Sequence, residues 1–226
     1  MTMLTRPEFD ILRQNGYDFD KTWQVVDQFE KKLADFFGAP YAVVVDCCTH
    51  ALELCFIVVD QRQTIINVPV HTYMSVPMML HKIGQPWQFV DNKWIDWYSL
   101  DPLPIIDAAF MWRRNSYQPD TLTCVSFQNK KHIAIGRGGV ILTDSKDNYD
   151  RLQRLCRDGR DPKLLQNEDD VKEIGYHYYM TPEDAARGIL LFDHLHDKPS
   201  RIWTWQDYKI LTSNTLFENH SISIGL

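Results

Sequence analysis

Residues 126–139 have the sequence Ser126-Phe127-Gln128-Asn129-Lys130-Lys131-His132-Ile133-Ala134-Ile135-Gly136-Arg137-Gly138-Gly139, and this stretch decides the fold. The apolar residues at 122–127 predict a buried strand before it, and 139–143 predict another after it. Three glycines close the intervening loop and let backbone pack tightly around its two lysines. A lysine held at the mouth of a sheet can form a Schiff base with a carbonyl compound, whereas most loop lysines are simply solvated. We take Lys131 as the candidate reactive amine.

Strands and helices alternate along the chain on both sides of that stretch. Apolar runs of strand length occur at 41–45, 64–68, 87–90, 103–106, 122–127 and 139–143, and helical patterns at 22–37, 49–58, 73–83, 148–157 and from Thr181. This order predicts one α/β domain over residues 1–226, with a mostly parallel sheet covered by helices on both faces. We expect a loop or linker at 161–175 and a helical C-terminal segment at 181–226, with one helix at 201–211.

Composition limits the classes of partner. The net charge of the 226-residue chain is −6, which argues against a nucleic-acid or anionic-membrane surface because no face is expected to be broadly basic. The five cysteines form no Cys-x-x-Cys motif and the eight histidines have no zinc-ligand spacing, so we expect neither a disulfide framework nor a metal site. No signal-peptide pattern or membrane-spanning run is present in the sequence. A cytoplasmic protein with free thiols is the expectation.

Polar and aromatic residues follow the predicted strands, at the edge where α/β proteins bind ligands. Asp107 suits the protonated ring nitrogen of an aromatic cofactor, or it caps the next turn. Thr49 begins a helix and, with Ser126, suits a phosphate, or it is a plain helix cap. Tyr73 suits a stacking ring, or it packs in the core. An amine, an acid and a phosphate site together are what pyridoxal phosphate (PLP) requires.

In this order the residues resemble the DegT/DnrJ/EryC1/StrS family, the PLP-dependent sugar aminotransferases of fold type I. The resemblance extends from about Phe29 to about Leu195, and residues 126–139 are its most specific part. It implies an aspartate-aminotransferase-like large domain with Lys131 as Schiff-base lysine and Asp107 as pyridine-binding acid. The cofactor-binding positions that it implies are Cys48, Thr49, Tyr73, Asp107, Phe110, Ser126, Lys131 and His177, the last reaching the partner subunit's phosphate in a homodimer.

The sequence departs from the family pattern at several positions. Cys48 stands where the family has glycine, and Phe110 where a histidine or glutamine contacts the ring hydroxyl of the cofactor. Arg137 replaces a glutamate, His177 an asparagine and Tyr179 an arginine. The interval 91–107 is also short for the family. We therefore expect a reduced large domain that lacks most of the small C-terminal domain.

The resemblance implies a PLP-dependent aminotransferase that moves an amino group from an amino acid, expected to be glutamate, to a nucleotide-linked keto-sugar. Two alternatives stay open. One is a reduced homologue that binds PLP or a nucleotide-sugar without transamination, and the other is a PLP enzyme of another reaction type, such as dehydration or racemisation. An unrelated nucleotide-binding domain is less compatible, because residues 46–50 contain none of the glycines that such a turn needs.

Overall fold

The computed structural model of the chain describes residues 6–220 and 222–223. Its helices are α1 (Pro7–Gln14), α2 (Gln24–Phe37), α3 (Cys48–Val59), α4 (Ser75–Lys82), α5 (Lys146–Leu155) and α6 (Pro182–Leu195). Its strands are β1 (Tyr41–Val45), β2 (Ile66–Pro69), β3 (Trp87–Val90), β4 (Tyr98–Ser99), β5 (Ile105–Asp107), β6 (Leu122–Ser126), β7 (Gly139–Thr143) and β8 (Ile222–Ser223). The strands predicted at 41–45, 87–90 and 139–143 are confirmed at both ends.

A five-stranded sheet in the order β1-β7-β6-β5-β4 forms the centre of the domain, beside a three-stranded sheet of β2, β3 and β8. The smaller sheet and the β5–β6 pair are parallel, whereas β1–β7, β6–β7 and β4–β5 are antiparallel. The α/β class is confirmed, but the strand directions are mixed where we expected them to be mostly parallel. The reason is that the loop at 127–138 contains no helix to carry the chain back along the sheet, so β7 reverses beside β6.

Helices cover both faces of the central sheet, as predicted. Side chains alternate along each strand, so Val44 faces the core that α1, α2 and α6 build, and Val43 faces the core of α3, α4 and α5. The side chains on both faces are fully buried: Val43 and Val44 are 0% exposed, as is Phe29 of α2. This two-sided burial fixes the positions at which β5 and β6 end, and therefore the positions of Asp107 and Ser126.

The prediction of a helix at 201–211 is wrong. This segment contains one turn of 3-10 helix at Trp205–Asp207, a second follows at Leu211–Ser213, and the rest is extended or irregular. The N–H of Asp96 donates to the carbonyl of Trp203 at 2.7 Å, and the N–H of Trp205 to the carbonyl of Trp94 at 3.1 Å. These bonds use backbone groups that a helix would need. Within the described residues of 181–226, the α-helix is therefore confined to α6, and residues 161–175 contain no helix or strand.

Two further expectations concern membrane-spanning helices and the state of the cysteines. Over 6–220 and 222–223, none of the helices has both the length and the hydropathy needed to cross a bilayer. All five cysteines are free thiols, although the sulfur atoms of Cys55 and Cys124 lie 3.5 Å apart in the core.

Candidate active site

A cavity of about 330 Å³ lies where β5 and β6 end. The structure brings all but one of the predicted site residues to its walls: Cys48, Thr49, Tyr73, Asp107, Phe110, Ser126 and Lys131. The exception is His177, whose side chain is 70% exposed and bonded through Nδ1 to Asp158 at 2.9 Å. Its predicted contact with the phosphate of a partner subunit stays a prediction.

The two loop lysines have different environments. Lys130 is exposed, whereas Lys131 is half-buried and its Nζ lies 3.0 Å from the centroid of the Phe110 ring. Burial lowers the pKa of Lys131 to about 8, against the opposing attraction of Cys48 and Asp107. An amine with this pKa has a substantial uncharged fraction near neutral pH, which nucleophilic attack on a carbonyl requires. The geometry therefore favours Lys131 over Lys130 as the reactive amine.

Asp107 is the last residue of β5 and is 6% exposed. Its Oδ2 accepts a hydrogen bond from the Tyr98 hydroxyl at 2.5 Å, and its Oδ1 accepts one from the N–H of Ala109 at 3.0 Å. Burial raises the pKa of Asp107, while these two hydrogen bonds and the charge of Lys131 act in the opposite direction. The carboxylate is thus held in a fixed orientation in the same cavity as the candidate amine.

Hydroxyl groups and helix starts form a second corner of the cavity. Helix α3 begins at Cys48 and α4 at Ser75, and the Thr49 and Ser75 hydroxyl oxygens lie 2.8 Å apart. Ser126 contributes a further hydroxyl and is 7% exposed. The backbone N–H groups in the first turn of a helix are free to bind an anion. This corner suits a phosphate group, and sequence reasoning had missed Ser75 because nothing in the sequence pairs it with Thr49.

Gly139 brings this corner against the central sheet. A Cβ atom at Gly139 would lie 2.8 Å from the backbone N and Cα of Cys48, which is closer than real contacts allow. The glycine therefore lets the first residue of β7 pass directly beneath the start of α3. The glycine closure noticed in the sequence has this close approach as its physical reason.

Aromatic side chains form the remaining wall, and sequence reasoning had missed most of them. Phe110 stacks on Trp203, with ring centroids 3.9 Å apart and planes at 19°. Tyr73 lies at the rim with 57% of its surface exposed. The other aromatic residues that line the cavity are Trp94, Tyr98 and Tyr208. The sequence signal for Trp203 was the abundance of tryptophan in 201–211, which carries no information about the distant residues that this segment packs against.

A charged cluster lies beside the start of α3. Asp46 accepts from the Nη2 of Arg137 at 2.6 Å and is bonded to the Nδ1 of His50 at 2.7 Å. Hydrogen bonds to Asp46 and Cys47 raise the pKa of His50 to about 9 against the effect of burial. Although ligand-type atoms of Asp46, Cys47 and His50 lie within 4.8 Å of one another, two cations already share the carboxylate. We interpret the cluster as an ion-pair network.

The sequence of this chain is similar to those of known proteins. The sequence model of the DegT/DnrJ/EryC1/StrS aminotransferase family matches residues 14–108 and 116–210. The chain belongs to this family. A curated relative is the UDP-4-amino-4,6-dideoxy-N-acetyl-beta-L-altrosamine transaminase of Campylobacter jejuni, which is 23% identical over 80% of this chain. The match covers 61% of that relative, so the chain spans about three fifths of its length.

Solved structures show the same fold. AtS13 from Actinomadura melliaura superposes with a TM-score of 0.69 at 19% identity, over 83% of this chain and 64% of that one. The PLP form of the protein Spr1654 from Streptococcus pneumoniae superposes with a TM-score of 0.65 at 16% identity, over 85% and 65% of the two chains. These likenesses confirm the fold-type-I architecture over the shared part.

The residues of the cavity suit PLP at three of its functional groups. Lys131 provides an amine, Asp107 an acid, and the hydroxyls of Thr49, Ser75 and Ser126 with the start of α3 provide a phosphate site. The fourth group, the ring hydroxyl, finds no hydrogen-bonding partner in the side chain of Phe110. The donor set therefore fits the cofactor apart from this one position.

Proposed function

We propose that the protein is a PLP-dependent aminotransferase that transfers an amino group from an amino acid to a nucleotide-linked keto-sugar. The amino donor, with glutamate as the proposed one, leaves as the corresponding keto acid, and the sugar carbonyl becomes an amine. The single observation that supports this best is the half-buried Lys131, with its pKa lowered to about 8, in one cavity with Asp107. The family and its named transaminase relative support the same reaction type.

Bound PLP supplies a reactive aldehyde and an electron-accepting ring. Lys131 would hold the cofactor at its aldehyde group, and its Nζ, once free again as an amine, would remove and return a proton at the substrate carbon. Asp107 holds a proton on the ring nitrogen, for which its fixed carboxylate is suited. Thr49, Ser75 and Ser126 hold the phosphate. The aromatic wall around Phe110 and Trp203 excludes water from Lys131 and keeps its pKa low.

The proposal is tested by loading the purified protein with PLP, reducing it with borohydride and locating the modified residue by mass spectrometry. We expect the cofactor on Lys131, loss of the visible absorbance in Lys131→Ala, and little change in the matched Lys130→Ala variant. Amine transfer from glutamate to a nucleotide-linked keto-sugar is then measured directly. Labelling of Lys130 instead, or no binding of PLP by the wild-type protein, would exclude this assignment.

The alternative of PLP binding without transamination has one observation in its favour. Phe110 presents an apolar side chain to the cavity, where the resemblance implies a contact with the ring hydroxyl of the cofactor, and Trp203 is stacked on it at 3.9 Å. Retained labelling of Lys131 with no amine transfer from any common amino acid would favour this alternative. Formation of a dehydrated or racemised product would favour another PLP reaction.

We also propose a homodimer with a site at the subunit interface. The support is His177, which is exposed, ordered by Asp158 and outside its own chain's cavity. Mixing Lys131→Ala with His177→Ala protein tests the arrangement, because shared sites would restore one intact site per mixed dimer. Light scattering gives the oligomeric state, and a monomer at working concentration would exclude the proposal.

A further inference from the structure

Tyr98 lies directly opposite Asp107 in the sheet. The two residues are register partners in the antiparallel pair of β4 and β5. The Tyr98 hydroxyl donates to the Oδ2 of Asp107 at 2.5 Å, and a second hydroxyl, that of Thr72, lies 2.5 Å from the tyrosine oxygen. All three side chains are buried, with exposures of 5% for Tyr98, 6% for Asp107 and 3% for Thr72. They form a largely buried polar chain in the wall of the cavity.

The direction of the hydrogen bonds in this chain follows from counting donors. A tyrosine has one O–H, and that of Tyr98 is given to Asp107. The contact between Thr72 and Tyr98 therefore has the threonine as its donor. Both hydroxyls point their protons toward the carboxylate, so each bond polarises and strengthens the next. The chain stabilises the ionised form of Asp107 over the neutral form.

This stabilisation opposes the effect of burial. Burial raises the pKa of Asp107, and the hydrogen bond from Tyr98 is the first of the contributions that lower it. A neutral Asp107 would have no charge with which to hold a proton on a ring nitrogen. The Ala109 N–H fixes the other carboxylate oxygen at 3.0 Å, so Tyr98 and Ala109 together set the orientation of the carboxyl plane. Each oxygen keeps a lone pair for a further partner.

We propose that Tyr98 is a positioning residue that keeps Asp107 ionised and aimed at the ring nitrogen of the cofactor, with Thr72 supporting it. This inference rests on the proposed function, because it assigns the ring nitrogen to Asp107. It explains how the short interval 91–107, which sequence reasoning treated only as a deletion, contributes to the site. The two-residue strand β4 places the phenol where Asp107 needs a donor.

The test is the PLP affinity of the apo protein, measured by quenching of tryptophan fluorescence between pH 6 and pH 9. Tyr98→Phe removes only the hydroxyl and keeps the buried ring. We expect its dissociation constant to rise about tenfold at pH 7.5, as the loss of a hydrogen bond to a charged group predicts. The ratio to wild type should grow as the pH falls, because Asp107 with a raised pKa becomes neutral at a higher pH. Thr72→Val should give a smaller change in the same direction.

A double-mutant cycle separates positioning from a general effect on the fold. In the Asp107→Asn background, Tyr98→Phe should leave the PLP dissociation constant unchanged, because the charge that it serves is already gone. Tyr117→Phe is the matched control, since this half-buried tyrosine donates to the Thr121 carbonyl at 3.0 Å outside the cavity. Its affinity should equal that of wild type, and thermal unfolding of every apo variant shows whether the fold is kept.

The outcomes distinguish this inference from the proposed function. Wild-type protein that binds no PLP would overturn both. Wild-type protein that binds PLP through Lys131, with Tyr98→Phe equal to it at every pH, would overturn the role of Tyr98 alone. An equal affinity loss from Tyr98→Phe in the wild-type protein and in the Asp107→Asn variant would also overturn it, by showing that the hydroxyl acts independently of the carboxylate.

Discussion

The Nζ atom of Lys131 lies 3.0 Å from the centroid of the Phe110 ring, and Trp203 stacks on the same ring at 3.9 Å. The two partners must use opposite faces of the ring, because one face cannot hold both at these distances. Phe110 thereby covers one side of the Lys131 amine, and Trp203 is stacked behind it. Burial is the largest influence on its pKa and lowers it to about 8. Phe110, one of the departures from the family pattern, thus lies next to the candidate amine.

Replacing Phe110 should change the reactivity of Lys131. In Phe110→Ala, water reaches the amine, so we expect its pKa to rise from about 8 toward the usual value of 10.5. Because only the uncharged amine reacts with acylating reagents, the pH midpoint for modification of Lys131 should move upward by about one unit. Mass spectrometry of protein labelled briefly at each pH measures the extent of modification of Lys131 and therefore this midpoint. Lys130 in the same samples is the internal control, and its labelling profile should not change; an unchanged Lys131 profile would contradict the role of Phe110.

Asp96 should anchor the segment that carries Trp203. Its Oδ1 accepts from the Trp203 N–H at 2.9 Å and its Oδ2 from Arg113 at 2.8 Å. In Asp96→Asn, one of these two donors faces an NH₂ group, while the left-handed backbone, with φ of 61°, is still tolerated by asparagine. We expect a loss of about 1 to 2 kcal/mol in the free energy of unfolding. Urea unfolding measures it, and chymotrypsin should cleave near Trp203 faster.

A matched control for this variant is Asp197→Asn. Asp197 pairs with Arg114 at 2.7 Å on the surface, where solvent screens the interaction. Its unfolding curve should follow that of wild type. Equal destabilisation in the two variants would mean that the buried contacts of Asp96 do not hold the segment.

Local sequence patterns predicted the helices and strands whose structure depends on the pattern of their own residues. The apolar run of β1 and the helical spacing of α2 determine their own structure, so both were found with nearly correct ends. Lys131 was placed at the cavity in the same way, because the strand before it and the glycines after it are neighbours in the chain. Asp107 was found because it ends an apolar strand.

The features that the sequence did not predict depend on contacts between residues that are far apart in the chain. The strand β4 has two residues and therefore no periodicity, so Tyr98 was missed as the partner of Asp107. The segment at 201–211 has the spacing of a helix, but its backbone is bonded to residues 94–96, more than one hundred positions earlier in the chain. Ser75 and Thr49 meet only because the starts of two helices converge on one cavity. In each case the information lies in a partner that is distant in sequence.

Gly139→Ala tests the close approach of the sheet to α3. The new Cβ would lie 2.8 Å from the Cys48 backbone, so β7 and the start of α3 must separate. We expect a loss of about 1 to 3 kcal/mol in the free energy of unfolding, as for other overpacked sites. PLP affinity should fall as well, because the phosphate corner moves away from Lys131. Calorimetric unfolding of the apo protein and a PLP titration measure the two effects, and an unchanged affinity would show that the corner does not bind the cofactor.

Glu30 should make the stability of the domain depend on pH. This side chain of α2 accepts from the Val44 N–H and from Gln153, both at 2.9 Å, and is 5% exposed. Burial is the main cause that raises its pKa from 4.5 to about 7. The folded state therefore binds a proton between these values that the unfolded state releases, so the contribution of Glu30 to stability is greatest below pH 4.5 and falls as the pH rises through 7. The full loss from this group is about 3 kcal/mol.

Glu30→Gln removes the titration while keeping the size of the side chain and a carbonyl oxygen for Val44. We expect the free energy of unfolding of wild type to fall more between pH 5 and pH 8 than that of the variant. The difference between the two proteins isolates Glu30, because every other titrating group is common to both. Denaturant unfolding at the two pH values measures it. Parallel pH dependence in the two proteins would contradict the raised pKa, whereas a flatter profile in the variant would identify Glu30 as the buried group that titrates where α2, β1 and α5 meet.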